Sequence, residues 1–307
     1  MPPDASIPAA FVRTVTDAHG AAGRSWLQRL PEVLEGCARR WRLTVGPPFA
    51  LSYNYVAPAE RTGGARCVIK LGVPGSPDLI TEATALELLG GEGTVGLLEQ
   101  DLDSGALLLE RAEPGGALSA LVPHRDEEAT AAAATVLRRL WRPAPPKVAL
   151  PSVAELGRGF RWYRSAHGAH GPLPVRLVAT AERVFAELAG STDAAVVLHG
   201  DLHHDNLLSA RRAPWLAIDP HGVVGDRAYD CAQLLTNPRP LPARSSDLQQ
   251  VLTRRVDQLA DLLDLDRDRV AGWGFAKAVL SEIWSCQDHG GPDGTPLRVA
   301  RLLLHRG

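Results

Sequence analysis

Residues 196–206 read VVLHGDLHHDN, and residues 216–226 read LAIDPHGVVGD. The first stretch is a short β-branched run ending in His199, Gly200 and Asp201, with Asn206 five residues after the Asp. The second is an apolar run ending in Asp219, thirteen residues past the Asn. This spacing suits phosphoryl transfer from ATP. In such chemistry Asp201 meets a substrate hydroxyl, while Asn206 and Asp219 hold magnesium on the phosphates, oxygen ligation being what that hard cation prefers. The stretch carries no group to grip the nucleotide itself, so the test of the reading lies elsewhere in the chain.

Upstream, Cys67-Val68-Ile69-Lys70 parallels the V-A-I-K strand of kinases, whose lysine grips the α- and β-phosphates. Lysine is scarce here: of 33 basic residues only Lys70, Lys147 and Lys277 are lysines and the other 30 are arginines, which reads as a coding bias. A lysine placed where chemistry wants an ammonium is therefore informative. Twelve residues on, ITEATALELLG has helical periodicity, with Leu86 and Leu89 on one face, and puts Glu82 in place to pair with Lys70. Where a protein kinase carries its glycine-rich loop, near residues 49–54, there is no glycine, so Ser52 and Asn54 with their backbone N–H groups are expected to cover the phosphates. Residues 106–110, ALLLE, read as a buried strand followed by the sharp turn RAEPGG. In a kinase reading this is the hinge, where the Glu110 C=O and Ala112 N–H meet the adenine edge. The run Gly91-Glu92-Gly93-Thr94-Val95-Gly96 fits G-x-G-x-x-G, but it follows a helix and precedes a strand-like run, the reverse of a dinucleotide fingerprint. It reads as a helix end and loop.

The rest of the chain supplies the frame. Residues 1–23 look like an irregular leader, and apolar residues at helical spacing from Trp26 to Trp41 predict a short and a longer helix meeting at Pro31. Strand character occupies residues 49–52, 53–57 and 66–71, the last two joined by a hairpin at ERTGGA. Asp126 is expected to cap an Ala-rich helix running to Trp141, followed by a rigid proline-rich loop, RPAPPKVALP. Helical patterns follow over 153–164, 174–188, 228–235, 247–263, 268–286 and 298–305. The fold class read from this is α+β and bilobal, protein-kinase-like. Residues 1–112 form a small antiparallel β N-lobe with one key helix, and residues 113–307 a larger, mainly α-helical C-lobe. With 45% hydrophobic and 22% charged residues and a net charge of −2, nothing suggests nucleic acid or an anionic membrane as partner. Four scattered cysteines without a C-x-x-C pair, no membrane-length apolar stretch and no signal-peptide pattern in MPPDASIPAAF predict a cytoplasmic protein. Only about nine residues separate Asp219 from the next helix and no A-P-E motif occurs, so no regulatory activation segment is expected.

Three readings compete with this one. Zinc held by His199, His203, His204 and His221 leaves Asn206 and the Lys70–Glu82 pair unexplained. Turn chemistry alone accounts for each piece but not for five residues in kinase order. A nucleotide-binding pseudokinase is disfavoured by the intact set.

HGDLHHDNLL, WLAIDPHGVVGDRAYDCAQLL with TNP, and CVIKLG with Glu82 resemble the aminoglycoside phosphotransferase superfamily. More narrowly, the chain is similar to its streptomycin 6-kinase and hydroxyurea-kinase branch. The G-x-x-W-x-x-x-L-P pattern at 23–31, Trp41 and LDRDRVAGW extend the likeness over nearly the whole sequence. The resemblance implies Asp201 as the catalytic Asp, Asn206 and Asp219 as magnesium ligands, Lys70 as the phosphate-neutralising group positioned by Glu82, and His199 as a structural residue of the loop. It implies ATP as phosphoryl donor, Mg2+ as cofactor and a small-molecule antibiotic as acceptor. Streptomycin leads, with hydroxyurea or another small metabolite as alternative, in a monomer or weak homodimer. On the acceptor side Asp226, Asp230, Glu282 and Asp288 are expected to meet a cationic sugar, with Trp273 and Trp284 as flat walls. His221 stands where the family's IDPKG pattern has lysine, a departure that bears on the acceptor rather than on phosphoryl transfer.

Overall fold

The computed structural model describes residues 7–304 except Ala169 and Asp193. The chain opens with α1 (Ala9–Trp41), whose inward face of Phe11, Val15, Trp26, Leu30, Cys37 and Trp41 is buried. Residues 9–23 are thus helical rather than an irregular leader. The interruption lies at Gly20, which takes φ +56° and ψ −125°, and not at Pro31, which sits inside the helix. Glycine alone adopts that backbone without a Cβ clash, so the helix bends there.

Five strands form the first sheet: β1 (Leu43–Val45), β2 (Tyr55–Arg61), β3 (Arg66–Leu71), β4 (Leu97–Asp101) and β5 (Ala106–Glu110), in the order β1-β2-β3-β5-β4. Every neighbouring pair is antiparallel. The expected strand over 49–52 is a loop, because Pro47 and Pro48 ahead of it have no N–H to give a ladder, and pairing begins at β1 instead. Alternation along β3 sets its two faces. Cys67, Ile69 and Leu71 pack with α1, while Val68 packs on the opposite side with α2 (Pro77–Leu89). Lys70 shares the parity of Val68 and so points toward α2.

The run 91–96, expected as a helix end and loop, follows α2 directly, with Gly90 closing that helix in the left-handed region. A Cβ on Gly93 would lie 3.1 Å from the Val136 carbonyl of α3 (Asp126–Leu140). Gly93 therefore serves close packing, whereas Gly91 has room for a side chain and is set apart by its φ of +79°. β6 (Pro114–Ala117) follows the hinge turn, and α3 begins one residue after its N-cap Arg125. Asp126 is not the cap. Its carboxylate turns inward to Arg255, with Arg255 Nη2 donating at 2.5 Å.

The larger lobe is helical, with short ribbons bearing the loops. β7 (Arg142–Pro143), α4 (Val153–Leu156), α5 (Arg158–His167) and α6 (Val175–Gly190) lead to β8 (Val196–Leu198). β9 (Leu207–Ala210) and β10 (Trp215–Ala217) form a hairpin, and β11 (Val223–Gly225) returns beside β8. α7 (Arg227–Thr236), α8 (Ser245–Leu263), α9 (Arg267–His289) and α10 (Thr295–Leu304) complete the chain, with α9 packed on α5, α6, α7, α8 and α10. The largest hydrophobic cluster runs through these helices and reaches β8 from below. The loop after β8 is therefore mounted on the core. Among the described residues no helix is long and apolar enough to cross a membrane.

Candidate active site

The three buried residues of β8 deliver His199 to the edge of the core. There the chain must turn sharply. Gly200 adopts φ +86°, and a Cβ on it would come within 3.3 Å of both His221 and Val223. His199 is wholly buried and bonded through both ring nitrogens: Nε2–H donates to the Ile218 carbonyl at 2.9 Å, and Nδ1 accepts the Asp201 N–H at 3.2 Å. Those partners require the neutral ring with its proton on Nε2. Burial pushes the imidazole down to about 4, against the pull of the Ile218 carbonyl and nearby carboxylates.

The same turn is gripped from α7. Asp230 Oδ1 accepts from the Gly200 N–H at 2.8 Å, while Oδ2 accepts from the His199 N–H and from Trp141 Nε1, both at 3.1 Å. Burial raises the Asp230 pKa, the three donors and the nearby charge of Lys277 notwithstanding. One turn further along α7, Gln233 Nε2 donates to Asp201 Oδ1. The Gln233 amide is itself oriented, since its Oε1 accepts from Thr236 Oγ1 at 3.2 Å. Asp201 is left with Oδ2 free of any hydrogen-bond donor among the described residues. The imidazole nitrogens His203 Nε2 and His221 Nε2 each lie 3.8 Å from it.

Asn206 sits in a short 3-10 turn, His204–Asn206, and donates Nδ2 to the Asp201 carbonyl at 3.1 Å. With its nitrogen so engaged, Oδ1 is the atom it has to offer. The Asn206 carbonyl accepts from Ile218 N–H at 2.9 Å, which ties the first loop to the second. Asp219 then takes φ +59°, a left-handed conformation that short polar side chains tolerate better than most. Its carboxylate reaches across the cleft to Lys70.

Lys70 is buried, and its Nζ lies 2.6 Å from Glu82 Oε2 while also pairing with Asp219 Oδ1. Burial disfavours the ammonium, but the two carboxylates outweigh it and hold Lys70 above its ordinary range. For Asp219 burial works against the charge, yet Lys70 outweighs it and the pKa is lowered. Glu82 is raised, because burial exceeds its share of the one ammonium. The residues expected from two distant motifs thus meet in one cluster.

The remaining nucleotide-side residues are placed differently from one another. Ser52 is exposed in the loop before β2. Asn54 folds back, and a Cβ on Gly72 would lie 2.5 Å from its Oδ1. The Glu110 side chain accepts from Gly96 N–H at 2.9 Å and takes a two-pronged contact from Arg212, 2.9 Å to Nε and 2.8 Å to Nη2. The Glu110 N–H is used by Gly96, whereas Ala112 N–H has no acceptor among the described residues.

Three of the four acids expected on the acceptor side belong to the fold. Asp226 caps α7 through Ala228 N–H at 3.0 Å, accepts from Trp273 Nε1 at 2.6 Å and pairs with Arg269. Asp230 braces the turn as described. Glu282 is wholly buried, its Oε1 accepting from Gly294 and Leu297 N–H groups at 2.8 and 2.9 Å at the start of α10. Trp273 is no wall either. It is fully buried, edge-on to Phe185 and Tyr229. The physical reason is packing direction: Asp230 and Gln233, three apart on α7, face the loop after β8, whereas Asp226, Trp273 and Glu282 are turned into the contacts among the helices. Asp288 alone is exposed, and Trp284 is partly buried.

The sequence reading missed two residues, Gln233 and Lys277. Gln233 was legible from its helical spacing to Asp230, and Lys277 from the scarcity of lysine.

Among the described residues no three His, Cys, Asp or Glu side chains converge as a metal group. The Ile218 N–H to Asn206 carbonyl bond sets Asn206 beside the Asp219 loop, and the donors these two residues offer are oxygens, Asn206 Oδ1 and the Asp219 carboxylate. That set fits magnesium, which is held by one or two protein oxygens with phosphates and water completing the shell.

Residues 40–290 match the family model described as aminoglycoside/hydroxyurea antibiotic resistance kinase. A streptomycin 6-kinase of Streptomyces griseus is 32% identical over 293 residues, 92% of this chain and 91% of that protein. A hydroxyurea phosphotransferase of Kitasatospora aureofaciens is 33% identical over 308 residues, 98% of this chain and 86% of that protein. Among solved structures, a choline kinase of Streptococcus pneumoniae superposes with a TM-score of 0.60 at 14% identity, covering 91% of this chain and 98% of that one.

Proposed function

The chain belongs to the aminoglycoside/hydroxyurea antibiotic resistance kinase family, and from that premise we propose that it transfers the γ-phosphoryl group of ATP to a hydroxyl of an aminoglycoside. The leading acceptor is streptomycin at its streptidine 6-hydroxyl, and resistance is the biological result. The observation that carries this reading is the buried Lys70–Glu82–Asp219 cluster, joined through the Ile218–Asn206 backbone bond to the loop in which Gln233 leaves Asp201 Oδ2 free.

In the proposed reaction Asp201 is the catalytic residue. Gln233 holds Oδ1, so Oδ2 orients the acceptor hydroxyl and takes its proton as the new O–P bond forms and the bond to the β-phosphate oxygen breaks, leaving ADP. Positioning matters more than base strength in so loose a transition state. Lys70 neutralises phosphate charge, held by Glu82. Asn206 Oδ1 and Asp219 would hold Mg2+, which supplies charge neutralisation on the phosphate oxygens when bound. Ala112 N–H is free to meet a nucleobase edge, and Ser52 is the exposed candidate to cover the phosphates. We divide the chain between the lobes after Ala112, the first residue beyond β5 and the hinge Arg111.

A second reading has its own support. With Asp226, Asp230 and Glu282 committed to the fold, few carboxylates face the acceptor, an arrangement that suits a small neutral acceptor such as hydroxyurea better than a polycation. An ADP-release assay with streptomycin and hydroxyurea in parallel, followed by 31P NMR of the product, separates the two. Streptomycin-dependent turnover abolished by Asp201→Ala supports the main reading, and turnover with hydroxyurea alone overturns it.

A further inference from the structure

Lys277 lies in the middle of α9, 2% exposed, among the buried residues Trp273, Ala276, Ala278 and Leu280. It is one of three lysines in a chain with thirty arginines. Its Nζ donates to the Gly200 carbonyl at 2.6 Å and stands 4.3 Å from the centroid of the Tyr229 ring. No carboxylate lies within ion-pair distance of it among the described residues. One carbonyl and one aromatic face are poor compensation for an ammonium removed from water, and an apolar side chain of the same length would pack there at lower cost. Stability does not account for this residue.

Its single hydrogen bond does. The Gly200 N–H is taken by Asp230 from α7, and the Gly200 carbonyl is taken by Lys277 from α9. The two peptides that flank Gly200, whose φ is +86°, are therefore each held by a buried side chain, and the second, which leads to Asp201, also gives its N–H to His199 Nδ1. Burial pushes the Lys277 ammonium down to about 8, with Asp201 and Asp230 opposing that fall, so the charge is retained at neutral pH. A compact ammonium suits one carbonyl beneath a ring, where the planar fork of arginine does not.

We propose that Lys277 is a positioning residue of phosphoryl transfer, which through the Gly200 carbonyl sets the direction in which the Asp201 carboxylate meets the acceptor hydroxyl. This rests on the role proposed for Asp201 above. It predicts that activity and stability respond to Lys277 in opposite directions, which a merely structural residue cannot do.

The test is Lys277→Met, with kcat expressed per nucleotide-binding site titrated with a fluorescent ATP analogue. The expected result is a kcat at least tenfold below wild type, an acceptor KM and nucleotide Kd within about threefold, and a Tm equal to or above that of wild type. A kcat per site within threefold of wild type overturns the proposal, and so does a loss of Tm in step with activity. Lys277→Gln, which keeps a donor without the charge, is read in the same way if the Met variant does not fold, and recovers part of the lost kcat. If wild type turns over no acceptor in the panel, the proposed function fails. The Lys277 comparison is then made on acceptor-independent ATP hydrolysis, where water takes the acceptor's place and the same tenfold loss is expected.

Discussion

Asp230→Asn isolates the clamp on the turn after β8. The aspartate accepts three buried donors: Gly200 N–H on Oδ1, and His199 N–H and Trp141 Nε1 on Oδ2. An asparagine keeps one acceptor oxygen. Placing it in the Oδ2 position retains two bonds and turns an NH2 group toward the Gly200 N–H, leaving both of these buried donors unpaired. Together they cost at least about 2 kcal/mol, and the two surviving bonds lose their charge assistance at roughly 0.5–1 kcal/mol each. Relief from burying a carboxylate offsets part of this, so the net destabilisation is about 2–3 kcal/mol. Asp230→Ala leaves all three donors unpaired and should cost at least about 1 kcal/mol more than the Asn variant. Urea unfolding followed by intrinsic tryptophan fluorescence gives both values, and a Tm fall of roughly 4–12 °C for the Asn variant is the calorimetric counterpart. Because the displaced group is Gly200, kcat should fall about a hundredfold while the ATP KM changes little. An Asn variant within about 0.5 kcal/mol of wild type, or an Ala variant more stable than the Asn one, would refute the clamp.

Three further outcomes follow from the same geometry. Gln233→Leu removes the donor on Asp201 Oδ1, and kcat should drop about tenfold with an unchanged ATP KM, the two measured by ADP release; a rise in KM alone would count against the role given to Gln233. Lys70→Met leaves Glu82 and Asp219 facing each other without their ammonium, and kcat/KM for ATP should fall by roughly a hundredfold or more; retention within threefold would remove Lys70 from the nucleotide site. His199 has a depressed pKa, so between about 6.5 and about 4 the unfolded chain holds a proton that the folded protein lacks. Stability should therefore be fully present above pH 6.5 and fall by about 3 kcal/mol as the pH drops through that window. Urea midpoints of wild type and His199→Gln measured across it should differ in slope, and parallel curves would reject the assignment.

The alternation along β3 made the side of Lys70 legible, because strand period and the buried partners of Cys67 and Ile69 leave it only one direction. Asp201, Asn206 and Asp219 were legible for a different reason: their spacing is dictated by one turn, one hairpin and the strand between them. The acids of α7 and α9 were not. A carboxylate that caps a helix or receives backbone N–H groups has the same sequence as one that meets a ligand, and burial of Asp226, Asp230 and Glu282 depends on the packing of α9 against five other helices. The start of the chain was misread because its alanine and glycine content carries little periodic signal. Residues 9–23 are helical through the burial of Phe11 and Val15.

Gly222 brings the Asp219 loop and α2 into close contact beside the ion pairs. It takes φ +67°, and a Cβ there would stand 2.6 Å from the Thr81 carbonyl and 2.8 Å from the Ala85 side chain. The loop that presents Asp219 thus rests against α2 at the residue beside Glu82. Any side chain at residue 222 would have to push α2, and Glu82 with it, away from the loop. Close packing at a glycine, and not charge alone, therefore keeps Glu82 beside the loop of Asp219.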